Sequence, residues 1–170
     1  DVLYYYGDSA PNFVSTKKPT ERRPFGYDFD VINTELLLTK LDVKNGKWIM
    51  PSGNQYAILV LPNEETMHPD VLERLSQLVE KGGILVGKKP KYVYGLKSYA
   101  SLEQQLQQKA NRLWESSEAS SQQPTASQKI YATQSEKEVL AKLEVPVDFK
   151  SSFKSDLKDS LDYVHRRLSD

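Results

Sequence analysis

The alternation of apolar and polar positions is clearest from Gln55 to Gly87, QYAILVLPNEETMHPDVLERLSQLVEKGGILVG. Tyr56 to Leu61 is a continuous apolar run, too short for a helix and ended by Pro62. It predicts a strand buried on both faces. Val71, Leu72, Leu75, Leu78 and Val79 then recur with the spacing of one helical face. Pro69 suits the first turn of that helix, and Gly82-Gly83 suits its left-handed stop. Ile84 to Val86 is a second short apolar run. A strand, a helix and a strand, with both strands apolar throughout, imply a parallel pair covered on both sides. That fixes a fold class and leaves function open, because such sheets carry many unrelated activities.

The same reading extends in both directions. Val2 to Tyr6 (VLYYY) predicts a buried first strand. From Gly7 to Gly26 no periodicity is visible, and Pro11, Pro19 and Pro24 interrupt the segment. A loop this long in a compact domain is expected to be functional or an interface element. Its Lys17, Lys18, Arg22 and Arg23 could hold an anion or an acidic surface, although a solvated loop is the plainer reading. Asp28 or Asp30 is expected to cap a helix running to about Leu38, with Ile32 and Leu36 facing the sheet. In LDVKNGKWIM, Asn45-Gly46 between alternating segments signals a hairpin, and one arm, Leu41 to Lys44, is expected at the sheet edge.

Ser101 and Gln104 suggest a capping box ahead of Leu102, Leu106, Ala110, Leu113 and Trp114, which share a helical face. Residues 115–128, ESSEASSQQPTASQ, are polar and low in complexity and read as a mobile surface loop. Lys129 to Ala132 is a short strand. Ser135 and Glu138 form a second capping box, for a helix carrying Val139, Leu140 and Leu143 that Pro146 stops.

With right-handed crossovers this order predicts an α/β fold: a flavodoxin-like, doubly wound, mostly parallel sheet of order 2-1-3-4-5, with an edge hairpin and a C-terminal extended tail. In residues 147–170, Leu161, Tyr163 and His165 alternate with Asp162, Val164 and Arg166, as in a strand, before Leu168-Ser169-Asp170 resembles the start of a turn. A strand that ends at a turn lacks its partner. The opening Asp1-Val2-Leu3 already lies inside an apparent strand and has no Met before it. We therefore expect a piece of a longer polypeptide, for which a missing targeting signal carries no weight.

Composition narrows the chemistry. The 170 residues suffice for one domain and an appendage. Lys+Arg and Asp+Glu are 23 each, which removes the electrostatic case for a nucleic-acid partner. No stretch is long and apolar enough to cross a membrane. With no cysteine, thiol catalysis, zinc-thiolate sites and disulfides are excluded for this chain.

Ligands of such folds bind beyond the carboxyl ends of the strands. After the first strand comes GDSAPNF, and the next helix begins some 20 residues later, which does not make a phosphate cradle. Glu64-Glu65 after Pro62-Asn63 could bind a metal or a sugar hydroxyl, but acids ahead of a helix are also favoured by its dipole. Gly87-Lys88-Lys89-Pro90 occupies the position at which glutamine-amidotransferase-like proteins carry a nucleophilic cysteine, and it offers no Cys, Ser or Thr. Of the two histidines, His68 sits at a helix start, where a structural or solvent-facing role is expected, and His165 belongs to the tail. A glycosidase needs two carboxylates roughly 5 to 9 Å apart, and no two of the 23 acids stand out. The 10 Tyr, 5 Phe and 2 Trp would suit a carbohydrate platform, yet Tyr4, Tyr5, Tyr6 and Trp114 fall on predicted core elements. No catalytic, cofactor-binding or metal-binding residue is assigned, and no cofactor is expected.

The runs GYDFDVINTELLL (26–38), PSGNQYAILVLP (51–62), VLERLSQLVEKGGILVGKKP (71–90) and LDYVHRRLSD (161–170) resemble the family 106 α-L-rhamnosidase-type glycoside hydrolases. The resemblance covers nearly the whole chain except 115–128, and rests on turn and packing signatures. It implies that residues 1–146 form a flavodoxin-like, class I glutamine-amidotransferase-like domain. Such a domain also resembles the trimerisation domain of certain β-galactosidases. Residues 147–170 would be a tail, the first strand of a following β domain. It further implies a parent enzyme acting on rhamnose-containing glycans in the periplasm or outside the cell, with its acid and base in a (β/α)8 barrel beyond this chain. Partners would then be the other domains of that glycosidase, with self-association left open and neither nucleic acid nor membrane expected. A structural or interface module is the leading expectation; a carbohydrate- or ligand-binding module is the alternative.

Overall fold

The computed structural model describes residues 1–7, 26–95, 100–118 and 129–150. In chain order the elements are β1 (Val2–Tyr5), β2 (Phe29–Ile32), α1 (Thr34–Thr39), β3 (Asp42–Lys44), β4 (Lys47–Ile49), β5 (Gln55–Tyr56), β6 (Ile58–Val60), β7 (Thr66–Met67), α2 (Pro69–Glu80), β8 (Leu85–Val86), β9 (Tyr92–Val93), α3 (Ala100–Glu118), β10 (Ile130–Tyr131) and α4 (Glu136–Lys142).

The central sheet has five strands in the order β10-β8-β6-β1-β2, and every neighbouring pair in it is parallel. Successive side chains of a strand point to opposite faces, so continuous apolar runs feed two separate cores. Leu3, Tyr5, Leu59, Leu85 and Ile130 join Leu37 of α1, Leu72 and Leu75 of α2, and Leu106 and Trp114 of α3. Val2, Ile58, Val60, Val86 and Tyr131 pack on the other side with Val139 and Leu140 of α4. Helices thus cover both faces of a mostly parallel sheet, as the apolar runs predicted.

Local signals explain several element ends. The side chain of His68 caps α2, whose first turn holds Pro69, and Gly82 follows the helix with a φ of +109°. Asn45 and Gly46 turn the β3–β4 hairpin with φ of +53° and +75°, as a two-residue loop of this hand requires. At α4, the Ser135 side chain accepts from the Glu138 N–H while the Glu138 carboxylate accepts from the Ser135 N–H at 2.8 Å, the reciprocal pair that the sequence predicted.

Ser135→Ala should lower stability by about 1 kcal/mol in urea unfolding, as for other lost caps. The bonds from Ser135 hold the Glu138 carboxyl below its ordinary pKa. A depressed folded pKa contributes stability that is present above the unfolded pKa and is lost as pH falls through the folded one. The difference between wild type and Ser135→Ala should therefore shrink as the pH falls through the carboxylate range.

Four sequence expectations need correction. The segment after Asp28 is the strand β2, and the helix starts only at Thr34, capped by Asn33, whose Oδ1 accepts from the Leu36 N–H at 2.9 Å. Asp28 instead accepts from the N–H of Phe29 at 2.9 Å, and Asp30 accepts from the Tyr56 hydroxyl at 2.7 Å. Phe29 meets Tyr4 edge-on with ring centroids 5.6 Å apart, so the period-two pattern of Tyr27, Phe29 and Val31 prevails over the capping signal.

The hairpin does not lie at the edge of the main sheet. β2 takes that place, and β3-β4-β5 form a sheet of their own. Fully buried Trp48 decides its position: the ring packs on Gly83, and Nε1 donates to the Ile84 carbonyl at 2.9 Å. Ser101 does not cap α3, because Ala100 is already helical. That helix also runs on to Glu118, through the first part of the expected polar loop. The rest of that loop (119–128), the loop 8–25 with its four basic residues, and the tail 151–170 with His165 lie outside the described residues. After α4 the chain stays on the domain. The N–H groups of Asp148 and Phe149 donate to the Gly26 carbonyl at 3.0 and 3.2 Å, and the Tyr27 hydroxyl donates to the Val145 carbonyl at 3.1 Å.

Candidate functional site at the carboxyl ends of the strands

In a sheet of this order the strand sequence reverses between β1 and β6, and the carboxyl ends on either side of that point are where ligands of such folds settle. A crevice is present there. Tyr5 and Gly7 from the end of β1, Leu61, Pro62 and Glu64 from the end of β6, Thr66 and Met67 from β7, Lys88 from the end of β8, and Tyr94 after β9 line it. Its enclosed space is about 10 Å³, room for no more than a single water molecule.

The crevice is narrow because apolar side chains close it from below. The φ of Gly87 is +152°, and a Cβ placed on it would lie 2.6 Å from Cβ and 3.0 Å from Cγ of Leu61. Leu61 is buried and held by its N–H donating to the Val86 carbonyl at 2.8 Å. Gly87 donates its own N–H to the Tyr131 carbonyl at 2.9 Å, and its carbonyl accepts from Trp114 Nε1 at 3.1 Å. Gly87, the elbow at which the chain leaves β8, is thus fixed from three sides by backbone and core.

The remaining candidates are drawn into structural bonds. Glu65 does not sit in the first turn of α2, which begins four residues later, so the helix dipole does not account for it. Its carboxylate pairs with Lys91 Nζ at 2.7 Å, and its carbonyl accepts from the N–H groups of Lys91 and Tyr92 at 2.7 and 3.0 Å. Those bonds tie the β7 and β9 segments together and keep the Lys91 ammonium above its ordinary pKa. His68 Nδ1 accepts from the Asp70 N–H at 3.2 Å, which is the expected structural role at a helix start. Lys89 Nζ donates to Asn111 Oδ1 at 3.0 Å. Tyr5 is buried and its hydroxyl lies 2.9 Å from Thr34 Oγ1; Trp114 is buried as well. Among the described residues no group of three or more His, Cys, Asp or Glu side chains could hold a metal ion, and no helix is long and apolar enough to cross a membrane. Sequence reasoning missed the pairing of β7 with β9 and the contact between Leu61 and Gly87, because each joins segments about 26 residues apart and leaves no local signal.

A protein of Formosa agariphila named "Putative beta-glucuronidase" is 35% identical over 114 residues, which is 67% of this chain and 10% of that protein. The structure of a rhamnosidase from Novosphingobium sp. PP1Y superposes with a TM-score of 0.65 at 24% identity, over 86% of this chain and 14% of that one; at that identity the likeness speaks for the fold. The chain therefore spans a tenth to a seventh of the length of these relatives. The glycoside hydrolase family 106 model, described as alpha-L-rhamnosidase, matches residues 1–170 from end to end, and the chain belongs to that family.

Proposed function

We propose that this chain is a non-catalytic structural and interface module of a longer glycoside hydrolase that acts on rhamnose-containing glycans. Its partners are the adjoining domains of that enzyme. The observation that carries the reading is the closed elbow at Gly87. The position where a related topology would expose a nucleophile is occupied by a glycine wedged under Leu61 and bonded to Trp114 and Tyr131. A group grafted there would push into core, and His68, the one histidine among the described residues, is engaged in capping α2. The strand order supports a flavodoxin-like topology, numbered 2-1-3-4-5 among the five parallel strands. The likeness to class I glutamine amidotransferases is carried by that topology and not by its chemistry.

The test is direct. The purified chain, incubated with p-nitrophenyl α-L-rhamnoside and with the corresponding β-glucuronide, should release no nitrophenol above buffer. Turnover that survives repurification and co-elutes with the protein would overturn the reading. Saturable heat in a calorimetric titration with rhamnose-containing oligosaccharides would favour a carbohydrate-binding module instead.

A further inference from the structure

Asn45 and Gly46 form the whole connection between β3 and β4. The turn is closed by Lys44 and Lys47, which face each other as direct partners, and like charges directly opposite weaken a strand pair. Asn45 is exposed, and neither its side chain nor the Gly46 N–H bonds to a described residue. The other four described asparagines differ. Asn33 caps α1, the Asn54 carbonyl accepts from the Met50 N–H, Asn111 accepts from Lys89, and Asn63 precedes the bulky Glu64. Of all the asparagines in the sequence, Asn45 alone is followed by glycine, which has no Cβ to hinder approach of its amide nitrogen.

We propose that Asn45 is a site of spontaneous deamidation, with Gly46 supplying the attacking nitrogen. The main-chain nitrogen of Gly46 attacks the side-chain carbonyl carbon of Asn45. A carbon–nitrogen bond forms to close a five-membered imide, the bond to the side-chain nitrogen breaks, and ammonia leaves with the proton released from the Gly46 amide. Water then opens the imide at either carbonyl. One opening gives an aspartate at position 45; the other gives an isoaspartate, in which the main chain runs through the former side chain.

The folded turn must open for the nitrogen to reach that carbon, and the repulsion between Lys44 and Lys47 favours such local opening. The two products have different consequences. The aspartate sets a carboxylate between two ammonium groups and offsets their repulsion. The isoaspartate inserts an extra main-chain carbon into a two-residue turn, and the register Val43↔Trp48 that seats Trp48 on Gly83 is lost. This inference concerns the hairpin alone and holds whatever the parent enzyme does.

The experiment ages the purified chain at mildly alkaline pH and body temperature and digests it with a protease that cuts before aspartate. The peptide starting at Asp42 contains Asn45, Asn54 and Asn63, so two asparagines serve as internal controls. New cleavage at position 45 reports aspartate, and uncut peptide with the acid's mass reports isoaspartate. Asn45 should convert faster than Asn54 and Asn63 by roughly tenfold or more. Gly46→Ala should slow conversion by roughly tenfold, although alanine loosens a turn with a φ of +75° at that residue. Lys47→Glu should also slow it, by replacing repulsion across the turn with attraction. Equal rates at the three asparagines, an undiminished rate in Gly46→Ala, or an unchanged rate in Lys47→Glu would each overturn the proposal.

Discussion

Gly87→Ala should destabilise the domain by about 2 to 5 kcal/mol, combining a backbone conformation that L-residues rarely adopt with overpacking of a filled core. Neither contributor can relax cheaply. The new Cβ would stand 2.6 Å from Cβ of Leu61, and that atom is next to the main chain, so a rotamer change does not remove it. Moving Leu61 would strain its bond to Val86, and moving residue 87 would strain the bonds to Tyr131 and Trp114.

Two companion variants separate strain from clash. Gly53 also has a positive φ, +90°, but nothing lies within 4 Å of a Cβ there. Gly53→Ala should therefore show the conformational cost alone, about 1 to 2 kcal/mol. Leu61→Ala leaves the Cβ of residue 61 in place but removes Cγ and beyond, so the double variant with Gly87→Ala should lose less than the two single losses added together. Urea melts of the four variants and the wild type give the comparison. A Gly87→Ala protein within about 0.5 kcal/mol of wild type would mean that the elbow is not packed, and the reading of the crevice as closed would fail with it.

What could be read from residues alone follows the range of the forces. β6, α2 and β8 were legible because burial on both faces and a helical stripe are written into consecutive residues. The Asn45-Gly46 turn and the Ser135–Glu138 box were legible because each is closed within four residues. β2 was not, because Asp28 and Asp30 imitate a helix cap in isolation. Only the partners Tyr4, 25 residues before Phe29, and Tyr56, 26 residues after Asp30, show why the segment stays extended. The hairpin was recognised and misplaced for a similar reason: the gap over Gly83 that receives Trp48 is made by the turn after α2, far along the chain.

The candidate site was legible only in outline. The elbow without a nucleophile, the lack of cysteine and the helix-start position of His68 are facts of sequence. That the crevice is narrow depends on Leu61 and Gly87 meeting across 26 residues, at the ends of two strands paired side by side, and no local pattern encodes that contact.

Burial of the sheet on both sides can be measured at two neighbouring residues of β6. Leu59→Ala should cost about 2 to 5 kcal/mol, the range for deleting a large side chain from a close-packed interior. Leu59 is fully buried on the central strand β6, where its direct partners are Leu3 on β1 and Leu85 on β8, both fully buried as well. No neighbour on either strand is free to collapse into the space, because each sits in a ladder held by its own main-chain bonds. Ile58 precedes Leu59 and points the other way, into the core that α4 covers. It is equally buried, so Ile58→Ala should fall in the same range of about 2 to 5 kcal/mol. Gln108→Ala, at an exposed position of α3, should stay within about 0.5 kcal/mol of wild type. Since whole domains are stable by only about 5 to 15 kcal/mol, either core variant should shift the urea midpoint visibly. A sheet with one wet face would make one of the two neighbouring substitutions cheap. A near-neutral Ile58→Ala beside a costly Leu59→Ala would remove α4 from the core and leave the doubly covered sheet without its second layer.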